Sequence, residues 1–469
     1  MKTITEQLLK KTTKSVNRLI IVLMVLCFFT NVNAQWANQN AGFTNKTLGF
    51  YEFSIVNENV VWAICYDGIG GLFGSNPILD FTRTTNGGTT WTAGLMGSDT
   101  SLAFSNISAI SDTEAWVAMH KFNFSGGGGL FHTVDGGITW TQSNAGLIFN
   151  DNSFPNFVYF KDALNGIAGG DANDGYFEIY KTNNGGTTWT RTPQTNIPNF
   201  ISGGGFGWFD GYAVVGNTVW FGTSAGQIYK STDFGTTWTV STMSAAQETV
   251  YEIAFNDDGL HGISHVRNNT STKLFSTTDG GTTWAQIPTN TIPNWKQSRI
   301  CSVPGTNIFV STSVNGGVNR GSSYTTNNGT TWTLIEATKQ KAACRFLNST
   351  TGWSGGFFND NPLYAVGDGI FKWDNTTTLS TDSYNFKNSN VKIYPNPALN
   401  EITISFSEIL NPDVKVKIID LLGRTSFSGN YENTITNDIK IDVSNFEKGN
   451  YIIKIESNDE YVTKKIIVE

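Results

Sequence analysis

The sequence predicts an all-β protein, a seven-bladed β-propeller followed by a small Ig-like β-sandwich. Two observations predict the propeller: a short phrase recurs six times at near-constant spacing, and a strand-like motif recurs upstream of most copies. A third predicts the sandwich, since apolar and polar residues alternate in the last 80 residues or so. Charged residues are only 15% and Gly numbers 49, which favours strands and turns over amphipathic helices.

The repeated phrase begins with Ser or Thr and carries Asp or Asn at its third position, Gly at its fifth and Trp at its eighth. Its Trp residues lie 49, 49, 49, 46 and 48 residues apart, so each period is one structural unit. Periods of this length with short strands are typical of four-stranded propeller blades. The copies are Thr84–Trp91, Thr133–Trp140, Thr182–Trp189, Ser231–Trp238, Thr277–Trp284 and Thr325–Trp332.

The chemistry of the phrase is that of a tight turn between two strands. Asn or Asp accepts hydrogen bonds from the following amides, and Gly supplies a positive φ. The Trp opens the next strand and buries its ring. This phrase is the Asp-box, and the chain resembles the Asp-box (BNR-type) propellers, which include sialidases and photosystem II assembly-factor-like proteins. The resemblance implies that the boxes lie opposite the functional face, so Asp135, Asp233 and Asp279 are structural.

The strands between and after the boxes predict seven blades over residues 35–374. After the last box, Ala342–Phe346, Thr351–Ser354 and Ile370–Trp373 repeat the first three strands of a blade, and no box follows. We expect Gln35–Asn38 to supply the missing outermost strand and to close the ring. Closure would remove the exposed strand edges that invite aggregation.

Residues 1–34 have the pattern of a secretory signal peptide. A basic start precedes an apolar run, Leu19–Phe29, and small residues follow it. The run is too short to span a bilayer, and no later stretch is long and apolar enough. We therefore expect an exported chain with no transmembrane segment in its mature part.

The cysteine count and the charge exclude some classes of protein. Cys65, Cys301 and Cys344 follow the signal segment, and their odd number excludes a complete disulfide framework. We expect buried free thiols, with a Cys301–Cys344 bridge as the alternative. A net charge of −7 without a basic cluster argues against a nucleic-acid partner.

Residues 375–390 are predicted to be a polar linker, and residues 391–469 to form a β-sandwich of about seven short strands. This tail resembles the type A C-terminal sorting domain of the type IX secretion system of Bacteroidetes. The resemblance implies export across the outer membrane by that machinery, removal of the tail by its sorting peptidase, and release or surface attachment. An ordinary cell-surface sandwich is the alternative. The residues that carry the resemblance are Tyr394–Pro397, Ile419–Arg424, Gly449–Tyr451 and Lys464–Val468.

The face without boxes receives the long, variable segments, and we predict that it binds the ligand. Trp208 and Trp295 belong to neither repeating Trp position. Exposed rings beside carboxylates commonly bind carbohydrate, although such rings also fill gaps between blades. The candidate ligand-binding residues are Trp208, Asp210, Trp295, Asp171, Asp174, Phe122, Arg299 and Arg345.

A glycosidase function would require particular arginine or carboxylate residues. Three arginines hold the substrate carboxylate in a sialidase-like site, and Arg299 and Arg345 fall on predicted innermost strands, with Arg267 as a possible third. The Arg-Ile-Pro motif of that family is absent, because Cys301 follows Arg299-Ile300. A two-carboxylate glycosidase is a second possibility. Its candidates are Asp67, Asp171, Asp174 and Asp210.

Neither a metal nor a cofactor is predicted. Asp171–Gly175 resembles the start of a calcium loop but is one residue short, and His261 and His265 have no third ligand nearby in the sequence. The predicted function is therefore a secreted or cell-surface, non-catalytic propeller that binds a glycan or a protein on its loop-rich face. The alternatives are a glycoside hydrolase on the same scaffold and a scaffold protein within a surface assembly.

Overall fold

The computed structural model describes residues 36–469 except 44–47, 69–75, 144–146, 244–247, 269–270, 290–291, 315–319, 359–368, 374–390, 407–413, 421–423, 432–437 and 458–459. The predicted signal segment and linker lie outside the described residues. The chain divides into two compact units between Leu379 and Ser380. Within the described residues the only helical element is a three-residue 3₁₀ turn, Gln194–Asn196.

Six sheets of the first unit each contain four consecutive antiparallel strands paired in chain order, and we number these blades 1 to 6. Blades 1 to 3 are β2 (Leu48–Ile55), β3 (Val61–Asp67), β4 (Asp80–Thr84), β5 (Thr92–Leu95); β6 (Leu102–Ala109), β7 (Ala115–Lys121), β8 (Gly128–Thr133), β9 (Thr141–Ser143); and β10 (Pro155–Phe160), β11 (Gly166–Asn173), β12 (Tyr176–Thr182), β13 (Thr190–Arg191). Blades 4 to 6 are β14 (Gly207–Val215), β15 (Thr218–Thr223), β16 (Gln227–Ser231), β17 (Thr239–Thr242); β18 (Thr249–Phe255), β19 (Gly262–Arg267), β20 (Thr272–Thr277), β21 (Ala285–Ile287); and β22 (Arg299–Ser302), β23 (Phe309–Ser313), β24 (Gly321–Thr325), β25 (Thr333–Glu336).

Blade 7 is built from both ends of the first unit. Its strands are β26 (Cys344–Asn348), β27 (Thr351–Gly355), β29 (Gly369–Trp373) and β1 (Trp36–Asn40), in that order, while β28 (Phe357–Phe358) pairs with β2. Trp36 lies opposite Trp373 in the register, their rings meet edge to face at 4.9 Å, and the Trp36 indole donates to Ser322 Oγ at 3.0 Å. The predicted closure by the N-terminal segment is confirmed.

The first strands of the blades define the centre of the ring. Each contacts the first strand of the next blade, and the cycle returns from β26 to β2. A cavity of about 370 Å³ lies among them and is lined from five blades by Glu52, Ile107, Tyr159, Tyr212 and Arg345. The first unit is therefore a β-propeller, and its described residues form seven sheets.

The six Asp-box turns share one set of hydrogen bonds. In the first, the Thr84 hydroxyl donates to Asn86 Oδ1 at 3.0 Å and accepts from the Gly88 amide at 2.8 Å. Asn86 Oδ1 also accepts from the Thr90 amide at 2.9 Å. The acidic versions use their carboxylates in the same way, and hydrogen bonds from the residue four positions later help to lower the pKa of Asp135, Asp233 and Asp279 to about 2. These carboxylates therefore stabilise the turns.

The second unit is a β-sandwich. One sheet contains β30 (Val391–Tyr394), β31 (Glu401–Phe406) and β34 (Asp438–Asp442). The other has the order β33 (Thr425–Tyr431), β32 (Val414–Asp420), β35 (Gly449–Ser457) and β36 (Glu460–Val468). Alternate residues of both sheets are buried between them, as the pattern predicts. They include Ile402, Ile404, Val416, Ile418 and Ile453.

The three cysteines of the described residues are buried free thiols. Burial raises the pKa of the Cys65 and Cys301 thiols well above the ordinary value. The expectation of free thiols is confirmed, and the alternative of a Cys301–Cys344 bridge is wrong.

Candidate functional site

Charged side chains converge at the centre of the ring. Arg299 Nη1 lies 2.8 Å from Glu252 Oε2, and Arg345 bridges two blades, with Nη2 3.5 Å from Glu52 Oε1 and Nη1 3.9 Å from Glu252 Oε1. Both glutamates are almost fully buried. Glu52 Oε2 also accepts from the backbone amide of Ile107 in the next blade at 3.1 Å. These contacts hold the first strands of blades 1, 2, 5, 6 and 7 together.

The sequence located the two arginines correctly on neighbouring first strands but missed their partners. Glu52 and Glu252 follow a bulge in β2 and β18, and each comes directly after a tyrosine. The repeated Tyr-Glu pair inside an apolar strand is the signal that could have identified them. The guanidinium of Arg299 lies 4.9 Å from the ring centre of Tyr51.

Arg267, the possible third arginine, is in β19, the second strand of blade 5. Its guanidinium lies 5.1 Å from the ring centre of Tyr251, and burial lowers its pKa. His265 in the same strand is fully buried, and burial together with the nearby arginines holds its pKa well below 6.5. Arg299 and Arg345 are each paired with a glutamate, so the arrangement at the centre is an ion-pair network across blades.

A row of aromatic rings crosses the loop-rich face from blade 2 towards blade 6. His120 stacks on Phe209 at 4.7 Å and on Phe154 at 4.8 Å, and Trp208 meets Tyr251 at 4.1 Å. Consecutive centroids along the row are at most 6.1 Å apart. The rings are, in order, Phe124, His120, Phe154, Phe209, Trp208, Tyr251, His265 and Trp295.

The row has one open end and one buried end, and two rings between Phe124 and Trp208, those of His120 and Phe209, are themselves buried. Phe124 is 48% exposed and Trp208 is half-buried, so both can meet a ligand from solvent. Trp295 is only 3% exposed, because its ring packs into the core of blades 5 and 6. The expectation of an exposed ring is wrong for Trp295. Phe122 is half-buried near the open end of the row.

The predicted carboxylates lie in different environments. Asp171 Oδ1 accepts from Asn156 Nδ2 and from the Gly207 amide, both at 2.8 Å, and burial raises the Asp171 pKa from 3.8 to about 7. Asp174 is exposed in a turn and pairs with Arg191 at 3.2 Å. Asp67 is buried and accepts from Asn76 at 3.0 Å. Asp210 is in β14, and its side chain lies outside what the structure describes.

The two histidines considered as metal ligands differ in solvent exposure. His261 is partly exposed and contacts Asp258 at 2.6 Å, whereas both ring nitrogens of His265 are buried without a hydrogen-bond partner. No group of three or more potential metal ligands occurs in the part of the chain that the structure describes. Within that part, no helix has the length and apolar character needed to cross a bilayer.

Fold and tail together define the class: this is a β-propeller protein with a second, sandwich-like unit for export. Residues 392–469 match the family of secretion system C-terminal sorting domains. This C-terminal domain indicates export by the type IX secretion system to the cell surface or the extracellular space.

Comparisons with individual proteins support the fold. The chain is similar to YCF48 from Cyanidioschyzon merolae, at 14% identity over 73% of this chain and all of that chain, with a TM-score of 0.50. It also resembles PorZ, a surface component of the type IX secretion system of Porphyromonas gingivalis, at 14% identity over 90% of this chain and 59% of that chain, with a TM-score of 0.43. A TM-score below 0.5 is too low to support an argument.

A curated relative shares sequence over a short stretch. Ulvan lyase NLR42 of Nonlabens ulvanivorans is 39% identical over 100 residues. The match covers 20% of this chain and only 17% of the length of the lyase.

Proposed function

We propose that this exported propeller is a non-catalytic binding protein whose loop-rich face binds a glycan or a protein. The observation that carries the proposal is the row of stacked rings from Phe124 to Trp208. Neighbouring rings fix one another, so they offer a rigid apolar platform at low entropic cost. Such a platform fits the apolar face of a sugar ring or an apolar side chain of a partner.

The fixed carboxylates favour binding over hydrolysis. A two-carboxylate glycosidase needs an acid and a base or nucleophile that reach the substrate. Glu52 and Glu252 are buried and paired with arginine, and Asp174 pairs with Arg191. These contacts support a structural role for the three groups.

One observation favours the rival function, a glycoside hydrolase. The raised pKa of Asp171, about 7, is what a general acid needs at neutral pH. Asp210, three residues after the Asp171 contact at Gly207 along the chain, would be its partner. In this reading, Asp171→Asn and Asp210→Asn each abolish turnover.

A glycan array combined with a hydrolysis screen on the exported chain tests both functions. Binding without turnover supports the proposal, and Phe124→Ala weakens that binding at least tenfold. Ile138→Ala is the matched control, because Ile138 is 83% exposed but lies in a box turn of the propeller. Turnover that Asp171→Asn abolishes would favour the hydrolase, and co-purifying protein partners without glycan binding would favour a protein ligand.

The proposal also includes the fate of the tail, which the sorting peptidase removes before the propeller is released or attached to the surface. Fusing residues 389–469 to a periplasmic reporter tests the sorting role. Export of the reporter with loss of the tail is expected, and retention in the periplasm would contradict it.

A further inference from the structure

A second candidate binding site lies on the box face, opposite the aromatic row. A cavity of about 590 Å³ lies between blades 3 and 4, a volume within the range of small-molecule sites. It is formed by the first hairpin of each blade, the third and fourth strands of blade 3 and the box of blade 4. Its lining includes Lys161, Asn165, Lys181, Arg191, Asn217 and Phe234.

Blade 3, which borders the cavity, lacks a ring–cation pair that four other blades contain, and the equivalent residues in blades 5 and 6 are Ile263 and Val310. In blades 1, 2, 4 and 7 the second strand carries a Trp, and the residue opposite it in the third strand places a cation or imidazole against the ring. In blade 3 the same position is Ile167, which lies opposite Lys181. The pairs in the four other blades are Trp62 and Arg83, Trp116 and His132, Trp220 and Lys230, and Trp353 and Lys372.

Ile167 takes the place of the indole in blade 3, and its fully buried side chain belongs to the same apolar cluster as Phe234 and Trp238. In blade 4, the Trp220 ring reaches the next box and donates to the Gly280 carbonyl at 3.0 Å. The side chain of Ile167 is smaller than an indole and has no N–H group to donate. It contacts Gly235 in the box of blade 4. Lys181 therefore has no indole to cover, and its Nζ donates to Thr236 Oγ1 in the neighbouring blade.

The box of blade 4 is also altered at this place. Phe234 has φ 55°, whereas the equivalent residue is glycine in four of the six boxes. A bulky residue at positive φ is strained, and such strain is retained where the surroundings enforce it. The Phe234 ring is buried in the wall of the cavity, and Lys161 Nζ lies 4.6 Å from its centre.

The cavity is cationic in a protein of net charge −7. Lys161 and Lys181 line it, against the single carboxylate of Asp233, whereas the guanidinium of Arg191, a third lining residue, pairs with Asp174. Both carboxylate oxygens of Asp233 accept hydrogen bonds from residues of its own turn, including one from the Thr237 hydroxyl at 2.6 Å. These hydrogen bonds stabilise the box turn. Burial lowers the pKa of Lys181, while the nearby charge of Asp233 raises it and that of Lys161 lowers it further.

We infer that this groove binds an acidic saccharide, with a carboxylate or sulfate group between Lys161 and Lys181. An anion there would relieve the repulsion of the two ammonium groups, each of which has donors beyond its single hydrogen bond. Hydroxyl and amide groups around the cations match the hydroxyls of a sugar. They belong to Thr188, Thr190, Thr236, Asn165, Asn183 and Asn217.

Calorimetry on the full exported chain at low salt tests the inference. The probes are a galacturonate hexamer, a chondroitin sulfate hexasaccharide, neutral cellohexaose and a hexa-aspartate peptide. We expect both acidic saccharides to bind more tightly than cellohexaose, and the affinity to fall as NaCl is raised. The double variant Lys161→Gln/Lys181→Gln should weaken this binding at least tenfold.

Lys230→Gln is the matched control, because Lys230 precedes the next box but lies against Trp220. It should leave the affinity unchanged. Absence of binding by both acidic saccharides, or an unchanged affinity in the double variant, overturns the inference. Equal or tighter binding of hexa-aspartate overturns the assignment to a saccharide.

Discussion

The box face and the centre of the ring satisfy their polar groups in different ways. On the box face, each Asp or Asn finds its partners two to four residues away along the chain, as Asp279 does with Thr277 and Thr283. At the centre, Glu252 meets Arg299 47 residues away, and Glu52 meets Arg345 293 residues away. Local partners can be recognised in a sequence, whereas distant ones depend on how the blades close into a ring.

The largest effect is expected when an ion pair between residues distant in the sequence is broken. Glu252→Gln removes the carboxylate that lies 2.8 Å from the buried Arg299 guanidinium, and we expect a loss of about 3–5 kcal/mol in the free energy of unfolding. Urea unfolding of the propeller transition measures it. Glu114→Gln, which removes the partly exposed partner of His132, is the control and should cost at most about 1 kcal/mol. Equal effects of the two variants would remove the distinction.

A smaller effect is expected from a local turn. Asp279→Ala removes the acceptor of the Thr277 hydroxyl and of the Thr283 amide and hydroxyl, and should cost about 1–3 kcal/mol. Asp279→Asn should stay within about 0.5 kcal/mol of the parent, because three of the six boxes carry Asn. The same urea experiment measures both. An Asn variant as unstable as the Ala variant would show that the charge matters to the turn.

The pH dependence sharpens the contrast at Asp171, whose partners lie 15 and 36 residues away. Its pKa is raised from 3.8 to about 7 in the folded protein. Between these values the folded state holds a proton that the unfolded chain has released, so stability falls as pH rises from about 4 to 7. Relative to Asp171→Asn, the parent should lose roughly 1–2 kcal/mol across this range, because Asp171 is only half-buried. An identical pH profile for the two proteins would contradict the raised pKa.

The smallest effect is at Asp279, with the opposite sign. Its pKa is lowered to about 2, chiefly by hydrogen bonds from Thr283. The stabilisation is therefore present above about pH 4 and is lost as pH falls towards 2. The melting temperature of the parent should drop relative to that of Asp279→Asn only in this acidic range. A difference that appears above pH 5 would refute this assignment.

The fold was largely predictable because its signals are local or repeated. Six boxes gave the turns, and the unpaired end after β29 correctly pointed to closure by β1. The candidate site was less predictable. Trp208 and Trp295 both lie outside the repeating Trp positions, but Trp208 is half-buried, whereas the ring of Trp295 is buried. Glu52 and Glu252 were missed, since a lone Glu in an apolar strand reveals no partner.

The sequence by itself determined the repeating turns, the alternation of buried strand residues and the sorting-domain motifs, because each depends on neighbours a few residues apart. Only the tertiary structure decided which charges meet at the centre, which rings form a row, and where a groove lies between blades 3 and 4. The physical reason is that these contacts join strands from different blades. Their geometry exists only once the ring has closed and one blade packs against the next.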